Sequence, residues 1–339
     1  MTQQNTANRP AILLSTLVLG VVLLLANVQS ASANPDNWRY EWPDTDFSQS
    51  SVEWDEIFSG GPPKDGIPSI DNPVFAPASE QPQLGEKEPV ITITQGGETK
   101  GYPLRVLTWH EIVNDVVGGV PVAVTYCPLC NAAIVFDRSL DGEAVEFGTT
   151  GKLRNSDLVM YDRKTESWWQ QYTGEAIVGS SLGTRLKMLP ARVVSFQDFR
   201  NAHPEAPVLI PSDPTIRAYG ANPYAGYDSS SFPFLYRGKL PEGIKPLAYV
   251  VVVDGEAWSM DLLSEKGQVI KNDLEISWTT GTNSALDRRV IKEGRDIGAV
   301  TVRRNGEDIA HHVTFAFVYH AFESQGKLHT SDGTLSWAR

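Results

Sequence analysis

Cys127 and Cys130, the two cysteines of the chain, form a Cys-Pro-Leu-Cys step. Two thiols at this spacing form a short disulfide, supply part of a metal site, or act as a redox couple. A disulfide across so short a loop stabilises a protein by only about 2 kcal/mol, and strain lowers this value. A chain of 339 residues does not depend on such a bridge for its core. All three alternatives stay open, and the metal site is the one that the surrounding sequence favours.

The segments on both sides of the cysteines have the pattern of β-strands. The run VPVAVTY alternates apolar residues before Cys127, and AAIVFDR and EAVEFG flank the hairpin turn Asp141-Gly142 after Cys130. Thioredoxin-like redox sites instead place the first cysteine at a helix N-terminus, where the dipole lowers its pKa. The sequence therefore predicts a turn between strands, the shape of a zinc or iron knuckle.

The second half of the chain partly repeats the first. Residues 97–115 align with residues 255–273 at a constant offset of 158, with six identities in nineteen positions. In the second copy threonines replace both cysteines, and glutamine replaces His110. The pattern predicts a degenerate internal duplication. It also indicates that His110 and the two cysteines form one functional set.

This set predicts a metal centre with Cys127, Cys130 and His110 as ligands. Two thiolates and one imidazole leave a coordination position open, which suits zinc or a soft copper ion. Copper is the better candidate outside the cytoplasm. No motif indicates a nucleotide cofactor.

A dense polar run follows the knuckle within GKLRNSDLVMYDR. One interpretation is a turn whose polar groups are satisfied by a surface ion pair. The other is a pocket wall, in which Arg154 binds a carboxylate or an oxyanion. On the second interpretation the candidate ligand-binding residues are Arg154, Asn155, Ser156, Asp157 and Tyr126.

The N-terminus predicts the compartment. An uncharged run from Ala11 to Val28 precedes Ala31 and Ala33, which have the small-x-small spacing that signal peptidase recognises. Residues 1–33 are therefore predicted to be a signal peptide, and the mature protein is expected to be periplasmic or secreted, without a membrane segment. The alternative is a retained anchor, because 18 apolar-rich residues reach the lower limit for spanning a bilayer.

The charge of the chain bears on its partners. Removal of residues 1–33 changes the formal net charge from −12 to −13. Such acidity argues against nucleic acid or an anionic membrane surface as a partner. A small molecule or a metal ion is the expected ligand.

The expected fold class is α+β and β-rich, with two related packed β modules and short helices. Residues 34–88 are predicted to form an irregular N-terminal arm held by Trp38, Trp42 and Trp54. Residues 89–240 form the first module with the cysteines, and residues 241–339 the degenerate second module. Helices are expected at 104–115 and at 195–203, the latter opened by a Ser195–Asp198 capping box.

Three sequence blocks carry a family resemblance: YPLRVLTWHEIVND, PVAVTYCPLCNAAIVFDR and KLRNSDLVMYDR. With flanking segments they cover most of residues 65–338 and resemble the domain-of-unknown-function family 3179. The resemblance implies an exported prokaryotic protein without an established activity, so it supports the compartment and the site but supplies no reaction. The chain departs from the family pattern at Asn131, where glycine is more usual.

Together these observations predict an extracytoplasmic soluble protein that binds copper or zinc through the Cys-Pro-Leu-Cys knuckle. One alternative is a thiol–disulfide redox protein that uses the same cysteines. Another is a ligand-binding or scaffold module in which the cysteines form a structural disulfide.

Overall fold

A computed structural model of the protein describes residues 35–337. Strands account for 40% of the described residues, and α-helices together with short 3-10 helices account for 14%. The strands are β1 (Ile57–Ser59), β2 (Val74–Pro77), β3 (Pro89–Gln95), β4 (Glu98–Pro103), β5 (Ile112–Val117), β6 (Val120–Cys127), β7 (Ala132–Asp137), β8 (Ser139–Leu140), β9 (Glu143–Ala144), β10 (Phe147–Arg154), β11 (Asp157–Asp162), β12 (Trp168–Gln170), β13 (Glu175–Val178), β14 (Lys187–Met188), β15 (Ala191–Ser195), β16 (Pro207–Ile210), β17 (Tyr249–Val253), β18 (Glu256–Ser259), β19 (Gln268–Lys271), β20 (Leu274–Thr279), β21 (Ala299–Arg304), β22 (Glu307–Asp308), β23 (His312–Phe315), β24 (Lys327–Thr330) and β25 (Gly333–Ser336). The α-helices are α1 (Leu104–His110), α2 (Phe196–Ala202), α3 (Met260–Lys266) and α4 (Ala316–Phe322).

Five sheets of four or five strands form the blades of a five-bladed β-propeller. The cysteine blade has the strand order β14-β7-β6-β5, and the aspartate blade has the order β1-β10-β11-β12-β13. The other blades are β15-β3-β4-β16-β2, β23-β17-β18-β24-β25 and β19-β20-β21-β22. The hairpin β8-β9 forms a separate two-stranded sheet.

The predicted fold class is wrong in its architecture, although the chain is β-rich as expected. The prediction of two packed β modules rested on the partial repeat between residues 97–115 and 255–273. That repeat gives no information about the aspartate blade, which joins β1 of the arm to four strands that lie beyond the repeated segment. Local sequence patterns do not specify such long-range strand pairing, so the blade count could not be derived from them.

The two repeated segments do share an order of elements. The hairpin β3-β4 leads into α1 and then into β5 and β6, and the hairpin β17-β18 leads into α3 and then into β19 and β20. In each of the two blades that contain these hairpins, a further strand pairs in parallel with the second strand of the hairpin. Strand β16 pairs with β4, and β24 pairs with β18. A duplication as the origin of this similarity stays a prediction.

The predicted helix 104–115 is too long. The helix ends at His110, because Glu111 adopts a left-handed φ of 59°. The residues that follow include Ile112 and Val113, whose β-branched side chains favour a strand, and they pair with β6. The second helix begins as predicted, since the Ser195 side chain accepts a hydrogen bond from the amide of Asp198.

The N-terminal arm is held to the aspartate blade by aromatic packing. The ring of Trp38 contacts those of Trp54 and Trp168, at centroid distances of 6.2 and 5.1 Å. Trp42 also packs against Trp168, and both side chains are fully buried. The arm is more regular than expected, because it supplies β1 and β2 to two different blades.

The predicted signal peptide, residues 1–33, lies outside the described residues. Within residues 35–337, none of the helices has the length and apolar character needed to cross a membrane.

Candidate metal centre

The two cysteines lie on a tight knuckle between adjacent strands, as the sequence predicted. Strand β6 ends at Cys127, which pairs with Ala132 at the start of β7. The amide of Cys130 donates to the carbonyl oxygen of Cys127 at 3.2 Å. Asn131 then takes a left-handed φ of 49°. Asparagine tolerates this region better than most residues, and glycine adopts it freely.

Neighbouring segments fix the knuckle from two sides. The carbonyl oxygen of Cys130 accepts hydrogen bonds from the amide of Phe315 at 3.2 Å and from the Thr314 hydroxyl at 2.9 Å. The Tyr227 hydroxyl donates to the carbonyl oxygen of Leu129 at 2.9 Å. The positions of the thiols are therefore set by packing between β23, the loop around Tyr227 and the cysteine blade.

The polar run after the knuckle forms the turn between β10 and β11 in the aspartate blade. Asn155 and Ser156 have φ angles of 53° and 65°, and Arg154 pairs with Asp157 across the turn. A two-residue hairpin with positive φ at both positions matches the twist of the flanking strands. The thiol of Cys127 donates to the carbonyl oxygen of Ser156 at 3.7 Å. The end of the hairpin β10-β11, called the aspartate hairpin below, thus contacts the knuckle.

This contact places Asp157 beside the two thiols. The cysteines are free and lie 3.6 Å apart. Their Sγ atoms and a carboxylate oxygen of Asp157 all lie within 4.8 Å of one another, and the three residues are buried. Oδ2 of Asp157 accepts hydrogen bonds from Gln170 Nε2 at 2.6 Å and from the Tyr172 amide at 2.8 Å. Oδ1 is buried and forms no hydrogen bond with a nitrogen or oxygen donor among the described residues, and the Cys130 thiol lies within hydrogen-bonding reach of the carboxylate.

Burial shifts the titration of all three groups in the same direction. It raises the pKa of the Cys127 and Cys130 thiols above their ordinary value. It also raises the pKa of Asp157, to about 6. The ionised forms are disfavoured because charge is costly in a buried site and because the groups repel one another when ionised. A cation bound between them would remove both costs, so the site is suited to a metal ion.

His110 lies outside this group of donor atoms. Its Nδ1 is 2.8 Å from the carbonyl oxygen of Pro68, and its Nε2 is 2.8 Å from the Tyr219 hydroxyl. The ring also stacks on Tyr219, with centroids 5.8 Å apart. Both nitrogens are therefore engaged in hydrogen bonds, and the structure brings Asp157, in place of His110, together with the cysteines.

Glu111 is a site residue that the sequence analysis did not identify. Its carbonyl oxygen accepts a hydrogen bond from the Tyr126 amide at 2.8 Å, and its side chain lines a cavity together with Cys127. Burial raises the pKa of Glu111 to about 8, and the charge of Asp157 adds to the shift. The sequence signal for this residue was weak: a single acidic residue between an apolar helix and a β-branched strand.

The other predicted ligand-binding residues have structural contacts. Arg154 pairs with Glu56, with Nε 2.6 Å from a carboxylate oxygen, as the ion-pair interpretation expected. The Ser156 hydroxyl donates to a backbone carbonyl in the loop at Phe234. Tyr126 is fully buried. Within the polar run, the side chain that joins the cysteines is that of Asp157.

Comparison with known protein families gives one result. The profile of the family of proteins of unknown function DUF3179 matches residues 64–326, which is most of the chain, so the protein belongs to this family. No curated protein and no solved structure gives a significant match.

Proposed function

We propose that this protein binds a zinc ion through Cys127, Cys130 and Asp157. The observation that carries the proposal is the convergence of two buried thiols and a buried carboxylate within 4.8 Å. The buried Oδ1 of Asp157 supports it, because this oxygen has no nitrogen or oxygen donor among the described residues and the nearby Cys130 thiol is only a weak donor, so a bound cation would satisfy it better. Three protein ligands leave the fourth zinc position open to a water or to a ligand molecule.

The donor set favours zinc over copper. Zinc accepts thiolate and carboxylate oxygen ligands in one tetrahedral site. Copper(I) selects soft sulfur ligands and gains little from a carboxylate. A copper(I) site would use the sulfurs of Cys127 and Cys130 and would not require Asp157.

The same observations disfavour thiol–disulfide exchange as the function. The thiolate is the nucleophile in this reaction, and burial raises the pKa of both thiols. Cys127 is 2% exposed and Cys130 is fully buried, so a protein disulfide has no access to either sulfur. Both residues also lie between strands, away from the field of a helix N-terminus.

Metal analysis of the purified protein tests the proposal. The full chain, exported and purified without affinity metals, is expected to contain one equivalent of zinc. The double variant Cys127→Ser/Cys130→Ser is expected to contain none, and Asp157→Asn to bind zinc at least tenfold more weakly. The matched control is Asp162→Asn, a buried aspartate of the same strand that lies outside the donor group.

Two results would overturn this assignment. Copper binding that is unaffected by Asp157→Asn would establish the two-sulfur copper site. A protein without stoichiometric metal, in which zinc titration produces no bound fraction at micromolar concentrations, would remove the metal function altogether.

An extracytoplasmic location is part of the proposal. Its support is the uncharged run and the small residues before Asn34, as set out above. Mass analysis of the exported protein is expected to show a chain that begins at Asn34, and an intact chain in the membrane fraction would establish the anchor instead.

A further inference from the structure

A cavity of about 190 Å³ lies beside the knuckle. Five separate chain segments meet around it: the N-terminal arm, the residue after α1, the knuckle, the aspartate hairpin and the loop 223–236. Of the three proposed ligands, Cys127 lines this cavity, so the proposed metal centre borders it on the Cys127 side.

The walls of the cavity differ in polarity. Cys127, Glu111 and Tyr224 supply polar groups, and Thr149 and Lys152 line the cavity as well. The rest of the lining is mainly apolar and includes Ile67, Pro128, Leu129, Leu153, Leu158 and Leu235. A cavity with this lining suits a molecule with an apolar body and one polar end.

Its size limits the ligand. The cavity volume of about 190 Å³ lies below that of pockets for drug-sized ligands. Pockets for drug-sized ligands begin at about 300 Å³. The ligand is therefore no larger than a short alkyl chain or a single ring with one head group.

We propose that this cavity binds a small, mainly apolar molecule whose oxygen head group occupies the open position on the metal ion. The proposal rests on the proposed function, because the head group needs the ion at Cys127. The apolar body lies between Leu153 and the leucines of the knuckle and the loop. The head group points to the end that Glu111 and Tyr224 share with the metal centre.

Phe234 marks the mouth of the cavity. It lines the wall, and 59% of its surface is exposed to solvent. The Ser156 hydroxyl donates to its carbonyl oxygen and thereby holds the loop on the aspartate hairpin. Phe232, two residues earlier, is 70% exposed and does not line this cavity, so it provides a matched control.

Cobalt(II) substitution of the full chain tests the metal centre and the cavity separately. Sulfur-to-cobalt charge transfer reports the metal centre, and the d–d bands report the open position. Titration with 1-hexanol and with hexanoate is expected to change the d–d bands saturably. Acetate has a head group without the apolar body, and at equal concentration it is expected to bind at least tenfold more weakly than hexanoate.

Two variants locate the binding. Leu153→Trp fills the cavity. We expect it to abolish the change in the d–d bands with 1-hexanol and with hexanoate, while the sulfur-to-cobalt charge-transfer band persists. If this variant does not fold, Phe234→Ala is expected to change probe affinity at least threefold, and Phe232→Ala to leave it unchanged.

The outcomes separate the two proposals. Absence of charge transfer would remove the metal centre. Normal charge transfer with d–d bands that respond to none of the probes would overturn the cavity proposal alone. A response that persists in Leu153→Trp, or that is equal for acetate and hexanoate, would also overturn it.

Discussion

Nε2 of Gln170 donates a 2.6 Å hydrogen bond to Oδ2 of Asp157. The amide oxygen of the same glutamine faces Nη1 of Arg154, at 3.4 Å. Because Oδ2 is held in this way, Oδ1 is the oxygen left for a ligand. Gln170 is therefore a positioning residue for the proposed metal centre, and Arg154 acts through it.

Replacement of Gln170 tests this relationship. Gln170→Leu is expected to weaken zinc binding by about 10- to 100-fold, the usual effect of losing the partner of a metal ligand, while one equivalent still binds at saturation. Competition with a chelator measures the affinity. Gln81→Leu, which replaces a buried glutamine far along the chain, is the control. Equal affinities for the two variants would show that Gln170 does not position the carboxylate.

Metal affinity is expected to depend steeply on pH. Zinc binds the ionised thiols, whose pKa values are raised by burial, so binding releases two protons. Between pH 6 and pH 8 the association constant should rise by about 100-fold per pH unit. Below pH 6 the slope should steepen further, because Asp157, with a pKa of about 6, must also lose its proton. A slope of tenfold or less above pH 6 would show that the two cysteines do not both bind the ion as thiolates.

The sequence predicted the knuckle because its determinants are local. Alternating apolar residues define β6 and β7, and the four-residue Cys-Pro-Leu-Cys step leaves room only for a turn. The polar run 154–157 was also recognised from the sequence. Its contact with the cysteines was not, because it depends on how the aspartate blade packs against the cysteine blade.

His110 and Glu111 show how a small local error changes a site prediction. The prediction that His110 reaches the knuckle assumed a helix that continues to Asp115. The left-handed φ of Glu111 ends the helix at His110, so the chain turns and Glu111 reaches the cavity. Isolated non-glycine residues with positive φ are rarely predictable from sequence, because the surrounding tertiary structure imposes them.

His110→Ala is expected to affect stability without affecting metal content. The variant leaves the Pro68 carbonyl and the Tyr219 hydroxyl without their partner, at a cost of about 1–3 kcal/mol in the free energy of unfolding. Zinc stoichiometry should stay at one, because His110 is not part of the donor group. Chemical denaturation and metal analysis of the same sample measure both effects. Loss of zinc from a folded His110→Ala protein would contradict the assignment of Asp157 as the third ligand.

The pH dependence of stability is expected to reveal Glu111. Its pKa rises from 4.5 to about 8 in the folded protein, so the folded state holds a proton that the unfolded state has lost. The contribution of Glu111 to the free energy of unfolding is therefore largest below pH 4.5. It falls as the pH rises towards 8, by up to about 1.4 kcal/mol per pH unit.

The difference in stability between a Glu111 variant and the unmodified chain, measured from pH 6.5 to pH 8 in the metal-free protein, isolates this effect. Asp157, whose pKa is about 6, contributes little there, and the thiols titrate above it. Buried histidines with lowered pKa values also contribute in this window, equally in the variant and in the unmodified chain. Glu111→Gln has no proton to lose, so its free energy of unfolding should increase relative to that of the unmodified chain as the pH rises from 6.5 to 8. Glu143→Gln replaces an exposed carboxylate with a lowered pKa and should retain the original slope. If denaturant titrations give the same slope for Glu111→Gln and the unmodified protein, Glu111 is ionised in the folded state and is not the buried neutral acid described here.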